Sequence, residues 1–319
     1  MADVFELIRE DLVRVEAQLG KDSVSRVPAI TDIGTYLQQS GGKRIRPALV
    51  LLTARLVACD GEAVIRLAAV VEMIHNATLI HDDIIDEADM RRGRPSTNSR
   101  WGTHMCVLAG DWLYMQAFNV ALRERSFAVL DTLIGLTQTM VEGELMQLQT
   151  VGTVIAAAQH YELIERKTAQ LFAVSSKLGA MAAAQPAEVI QRLHDYGHHL
   201  GLAFQMVDDL LDFTGDPGKV GKPVGNDLRE GKMTLPAIYA YQQASSAERE
   251  ALVQAMQGNG SGDMVAAVAI LERYGALERA RVEAARHALQ AQELMRGFPR
   301  TEYREALEQL PDLVLQRDR

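Results

Sequence analysis

The sequence predicts an all-α fold, and three observations carry that expectation. Aromatic residues make up only 5% of the 319 residues, while Ala, Leu, Glu, Gln and Met, which lose little on entering a helix, are plentiful. Apolar residues recur at spacings of three and four through most of the chain, the repeat of a helix with one face turned inward. No window keeps the apolar–polar alternation, bounded by turns, that marks a strand, so no sheet is expected.

Taken in order, the N-terminal window 5–19 is amphipathic with acids inside it, unlike a secretory signal. Windows 47–59 and 62–90 read as helices, with Arg55 and Arg66 breaking the most apolar run before it reaches membrane-spanning length. Helical spacing continues through 106–122, 127–149, 159–181 and 187–213. It resumes at 234–243, 247–257, 264–274, 276–294 and 301–316. Three breaker-rich segments interrupt the pattern: SGGKRIRP at 40–47, RRGRPSTNSRWGTH at 91–104 and TGDPGKVGKPVGNDLREGKMTLP at 214–236. Irregular segments of that size in a compact helical protein are usually functional or mobile. GNGSGD at 258–263 reads as a plain surface connection, and Pro47 as the opening residue of a helix.

No linker-like change of composition divides the chain, so one domain over 1–319 is expected. A net charge of −9 argues against a nucleic-acid partner, although it leaves room for a small anion held by local cations. Cys59 and Cys106 lack the spacing of a disulfide framework or a zinc site, and a cytoplasmic location is expected.

The chemistry concentrates in a repeated motif. Asp82, Asp83 and Asp86 stand in LIHDDIIDEADMRR, and DDLLD repeats the spacing with Asp208, Asp209 and Asp212. On a helix Asp82 and Asp86 share a face with His75 and Thr78, and Asp208 and Asp212 share one, with Phe204 and Gln205 a turn earlier. Like charges so close repel unless a cation lies among them. Oxygen-only ligands suit Mg²⁺, which keeps waters and is completed by substrate phosphates. Cations cluster in the interrupting segments: Lys43, Arg44 and Arg46, then Arg91 and Arg92, then Lys222 and Lys232. Lys43 to Arg46 would sit at the positive end of a helix, a favourable arrangement if a diphosphate binds there. In YELIERKTAQLF, Lys167 shares a stripe with Ile164 and Leu171, and an inward lysine needs a partner. Each feature has a plainer alternative: a solvated acidic face, a basic turn, a snorkelling lysine, a core histidine. Two such motifs, each followed by a basic glycine-rich loop, favour a site.

These motifs resemble those of the trans-isoprenyl diphosphate synthases. GGKRIRP, LIHDDIIDEADMRRGRPS, KTAQLF, GLAFQMVDDLLDF and GKPVGNDLREGKMTLP occur in that family's order over nearly the whole chain. The first aspartate motif lacks the two-residue insertion of many bacterial farnesyl synthases, and the likeness is to bacterial octaprenyl diphosphate synthases. The resemblance implies the isoprenoid synthase fold, an antiparallel helix bundle around a deep central cavity, acting as a homodimer. It implies Mg²⁺ on Asp82, Asp86 and Asp208, with Asp83, Asp209 and Asp212 in support. Arg91, Lys167, Thr168, Gln205, Lys222 and Lys232 would hold an allylic diphosphate, the lysines stabilising it as it departs. Lys43, Arg46, His75 and Arg92 would hold isopentenyl diphosphate.

The implied reaction is successive head-to-tail condensation, with a quinone side chain as the destination and at most transient membrane contact on release. Ala77 and Thr78 occupy positions where short-chain members tend to carry an aromatic, which implies a long product. Phe118, Leu122, Leu133 and Leu136 are candidates for the tunnel floor. A class I terpene cyclase would share the first motif but normally carries a different second metal site. A phosphohydrolase reading of His81 and Asp82 would need further histidines, and a non-catalytic partner subunit typically loses an aspartate motif.

Overall fold

A computed structural model of the chain describes residues 2–91, 93–215, 224–257 and 263–317. The helices are α1 (Ala2–Glu6), α2 (Arg9–Asp22), α3 (Pro28–Gln39), α4 (Ile45–Leu56), α5 (Glu62–Ile85), α6 (Thr97–Trp101), α7 (Thr103–Ala121) and α8 (Phe127–Thr150). There follow α9 (Ala157–Ile164), α10 (Gln170–Ala182), α11 (Ala187–Thr214), α12 (Asn226–Arg229), α13 (Leu235–Gln243), α14 (Ser246–Ala255), α15 (Met264–Arg273), α16 (Ala276–Met295) and α17 (Glu302–Leu315). The all-α expectation holds, with one correction. Met90–Arg91 (β1) and Arg94–Pro95 (β2) form a minimal antiparallel pair, Arg91 opposite Arg94, too short to register as alternation.

The helices sort into two compact units. The first comprises residues 1–137, 174–194 and 298–307, and the second 138–173, 195–297 and 308–319. In the first unit α5 is the central element, packed against α2, α4 and α7. Its apolar residues from Val64 to Ile80 are buried on nearly every side, which is why it reads as one unbroken run rather than a stripe. By length and composition α5 could cross a membrane despite Arg66, but most of it lies inside the unit. The helix stops at Ile85 rather than 90 because Glu87 turns left-handed (φ 48°) and the Ala88 N–H donates to the Asp83 carbonyl at 3.0 Å.

In the second unit α13 lies against α15 and α16. There α11 meets α16 through His199 and His287, whose Nδ1 atoms are 3.0 Å apart. Burial pushes His287 down to about 4, so its ring meets His199 uncharged at neutral pH.

Other boundaries differ in ways that have local causes. α3 escapes the apolar repeat because PAITDIGTYLQQ buries only Ile33, Gly34 and Leu37. α4 opens at Ile45 behind a left-handed Arg44 (φ 47°), so Pro47 is its third residue rather than its first. The window 159–181 is divided by a π-helical turn at Glu165–Ala169. Residues 258–262 of the GNGSGD connection lie outside the described residues.

Candidate active site

Both aspartate motifs sit at helix C-terminal ends, where unpaired carbonyls already place partial negative charge. Asp82 and Asp83 lie in the last turn of α5, and Asp86 caps it. Asp208, Asp209 and Asp212 occupy the last two turns of α11. Adding carboxylates there is unfavourable unless a cation compensates.

The two motifs divide labour in the same way. Asp83 is fully buried, at 0% exposure. Its Oδ1 accepts from Arg91 Nε, and its Oδ2 from the Thr97 N–H and hydroxyl at 3.3 and 3.2 Å. The carboxylate thereby ties the β1–β2 hairpin and the start of α6 to the end of α5. Asp209, at 2% exposure, accepts from His160 Nε2 and Gln205 Nε2, each at 2.9 Å. By contrast Asp82 is half-buried and Asp86 exposed. The Asp208 side chain is 52% exposed, with Arg317 Nη2 at 3.3 Å from its Oδ1. Asp212 has a third role: its carboxylate receives the Asn226 and Asp227 N–H groups at 3.1 and 3.2 Å, fixing the loop that leads to Lys232. Next to the first motif, burial pushes the Tyr114 phenol well above its ordinary value, and Asp82 adds to the effect.

A pocket in the first unit gathers His75, Asp83 and Arg91, with Ser40, Glu72 and Thr97 also in its wall. Arg46 Nη1 lies 3.2 Å from His75 Nε2, so two of the residues expected to bind isopentenyl diphosphate touch. Lys43 is exposed nearby in sequence. Arg44 plays a different part: it spans Glu16 and the buried Glu72, anchoring the basic loop and holding Glu72 neutralised in the pocket wall. Ala77 is fully buried, Thr78 is half-buried and its Oγ1 donates to the His75 carbonyl at 2.7 Å. Leu133 and Leu136 are buried, whereas Leu122 stands at the surface, 46% exposed.

In the second unit Lys167 and Thr168 occupy the π-helical turn. Lys167 Nζ pairs with Glu144 Oε2 at 2.6 Å and reaches Gln147 Oε1 at 3.3 Å. Thr168 Oγ1 donates to Gln205 Oε1 at 2.7 Å. Lys232 Nζ pairs with Glu230 at 2.8 Å. Lys222 and Arg92 lie outside the described residues. Sequence reasoning missed His160, Glu144, Gln147 and Thr97. The demand of an inward lysine for an acid could have prompted a search for Glu144, but nothing in the spacing selects His160.

Among the described residues, no three His, Cys, Asp or Glu side chains converge on one point. The carboxylate oxygens at each helix end, taken separately, are hard donors of the kind that suits Mg²⁺, which takes the rest of its shell from water and phosphate. The residues present therefore fit such an ion.

The Polyprenyl synthetase family profile matches residues 27–272. The chain is 38% identical to the octaprenyl diphosphate synthase of Escherichia coli (strain K12) over 98% of both chains. It is 36% identical to a short chain isoprenyl diphosphate synthase of Methanothermobacter thermautotrophicus over the full length of both. Its fold matches the polyprenyl synthase of Caulobacter crescentus CB15, solved with calcium and isoprenyl diphosphate, with a TM-score of 0.94 and 35% identity, covering 99% of this chain and 98% of that one.

Proposed function

From membership of the polyprenyl synthetase family, to which this chain belongs, we propose that it makes octaprenyl diphosphate by adding isopentenyl diphosphate units successively to farnesyl diphosphate. As a family member it is a prenyltransferase, a polyprenyl diphosphate synthase with the all-α isoprenoid synthase fold. The reading rests on one contrast: each aspartate motif commits its second carboxylate to buried protein donors and presents its first at a negative helix end.

Asp82, Asp86 and Asp208 would hold Mg²⁺, which supplies charge neutralisation for the leaving diphosphate. Lys167, Lys222, Lys232, Arg91, Thr168 and Gln205 hold the allylic diphosphate, and Lys43, Arg46, His75 and Arg92 hold isopentenyl diphosphate. With the two substrates oriented, the allylic C–O bond breaks and the diphosphate leaves with the electron pair. The double bond of isopentenyl diphosphate attacks the allylic cation, a new C–C bond forms, and a proton leaves to the departed diphosphate. Positioning and charge do the work, so no side-chain nucleophile is needed.

Relatives making short and long products are about equally similar to this chain, at 36% and 38% identity. Product length is therefore argued from particular residues. Ala77 and Thr78, small and within two turns of Asp82 on α5, leave room where a bulky side chain would stop the growing tail. The chain acts as one polyprenyl synthase domain over 1–319, as a cytoplasmic homodimer that touches a membrane only to release its product. The product would serve as the donor in prenylation of a quinone precursor.

Purified chain incubated with farnesyl diphosphate, labelled isopentenyl diphosphate and Mg²⁺ tests the whole reading by chromatography. An eight-unit product formed only with metal supports it. Phosphate release without elongation would indicate a hydrolase, cyclised hydrocarbon a cyclase, and inactivity of the chain alone a partner subunit.

A further inference from the structure

The residues that satisfy Asp209 form a chain of hydrogen bonds with a direction. His160, 5% exposed, sits on α9 with its Nε2 2.9 Å from Asp209 Oδ2. Gln205, one turn before Asp209 on α11, donates through Nε2 to Asp209 Oδ1 at 2.9 Å, and its Oε1 lies 2.7 Å from Thr168 Oγ1 in the π-helical turn. A carboxylate only accepts. His160 therefore carries a proton on Nε2, and the Gln205 amide turns its nitrogen toward Asp209. Its oxygen is left facing Thr168, whose hydroxyl donates a hydrogen bond to it.

We infer that His160 is a positioning residue for the diphosphate-binding pair Gln205 and Thr168, acting through Asp209 to fix which atoms the pair presents. This rests on the reading of Gln205 and Thr168 as allylic diphosphate contacts. With the amide in this orientation, the pair has one amide N–H on Gln205 and the lone pairs of Thr168 to offer. A diphosphate oxygen only accepts, so Gln205 donates to it directly, and Thr168, whose hydroxyl hydrogen is engaged by Gln205, contacts it through a bridging water that donates to both. Turned over, the amide would donate to Thr168 and release its hydroxyl proton, exchanging the two roles. His160 and Asp209, both nearly sealed from solvent, set the choice at the buried end, where an unmatched group is costly.

Steady-state kinetics with each substrate varied, together with thermal melting, test this on His160→Leu, His160→Gln and Gln205→Ala in the full chain. His160→Leu should raise KM for farnesyl diphosphate about tenfold and leave KM for isopentenyl diphosphate unchanged. His160→Gln, whose amide can still donate, should restore most of the loss. His160→Leu added to Gln205→Ala should cost no more than Gln205→Ala alone, because both act through one amide. A folded His160→Leu enzyme with unchanged allylic KM, beside a raised KM in Gln205→Ala, overturns the inference while sparing the site reading. An unchanged KM in Gln205→Ala overturns both. Should His160→Leu not fold, His160→Asn, polar but too short to reach Asp209, takes its place with the same expectation.

Discussion

Asp82 and Asp83 are joined by one peptide bond yet have opposite fates, because successive helical residues point about 100° apart. Asp83 faces the hairpin and is sealed by Arg91 and Thr97, while Asp82 is half-buried. Substitutions should therefore separate. Asp208→Ala removes a half-exposed carboxylate that pairs with the largely buried Arg317, itself stacked on Phe204; turnover should fall by orders of magnitude while the melting temperature falls less than in Asp83→Ala. Asp83→Ala strands buried donors and should cost about 1–3 kcal/mol of stability. Melting curves beside product assays distinguish the two, and near-normal turnover in Asp208→Ala would remove it from the proposed metal ligands. Ala77 carries the length argument. Ala77→Tyr should shorten the product while condensation continues, since it adds bulk away from the diphosphate contacts. An unchanged product distribution from a folded variant would sink the tunnel assignment, and a sharply lowered melting temperature would mark Ala77 as an overpacked core contact instead.

At the scale of elements, the π-helical turn is what the sequence hides. An α-helical reading of LIERKTAQLF correctly puts Ile164 and Leu171 inside and demands a partner for Lys167, which Glu144 supplies. One extra residue in a turn does not disturb an apolar repeat enough to be seen, so the rotation that brings Thr168 to Gln205 was illegible. Two glycines let the turn fit: a Cβ on Gly201 would come within 2.6 Å of Ala169 Cα, and one on Gly143 within 2.8 Å of Arg166 Cβ. Gly201→Ala should destabilise the fold by about 1–3 kcal/mol and raise KM for the allylic substrate, because the backbone carrying Lys167 and Thr168 has to shift. Melting and kinetics on that variant check it; a stable protein with unaltered KM would mean the turn tolerates displacement. The long helices were legible because each buries a continuous face. α3 and the β1–β2 pair were not, the first being mostly polar and the second two residues a side.

For the whole molecule, the order of the motifs was readable from the sequence, but the division into two units was not. Each unit is assembled from three separated stretches, and local composition carries no record of which distant segment a helix meets. The surface does carry a pattern. Leu108, Met115 and Leu122 recur every seven residues along α7 and the turn after it, 64%, 62% and 46% exposed. Large apolar side chains in such a stripe are costly to leave in water and mark a face that another helix covers. A second copy of the chain is the partner proposed above, and Met115 stands in the middle of the stripe. In analytical ultracentrifugation the native chain should sediment at twice its 35.1 kDa, and Met115→Lys should shift it toward one chain mass, since an unpaired ammonium cannot be buried cheaply in an apolar seam. The helical signal in circular dichroism should stay intact, because the lysine replaces a side chain already in solvent within one chain. A native protein that sediments as a single chain would end the homodimer reading. A variant that stays paired would place the interface on another face and return Leu108, Met115 and Leu122 to ordinary surface residues.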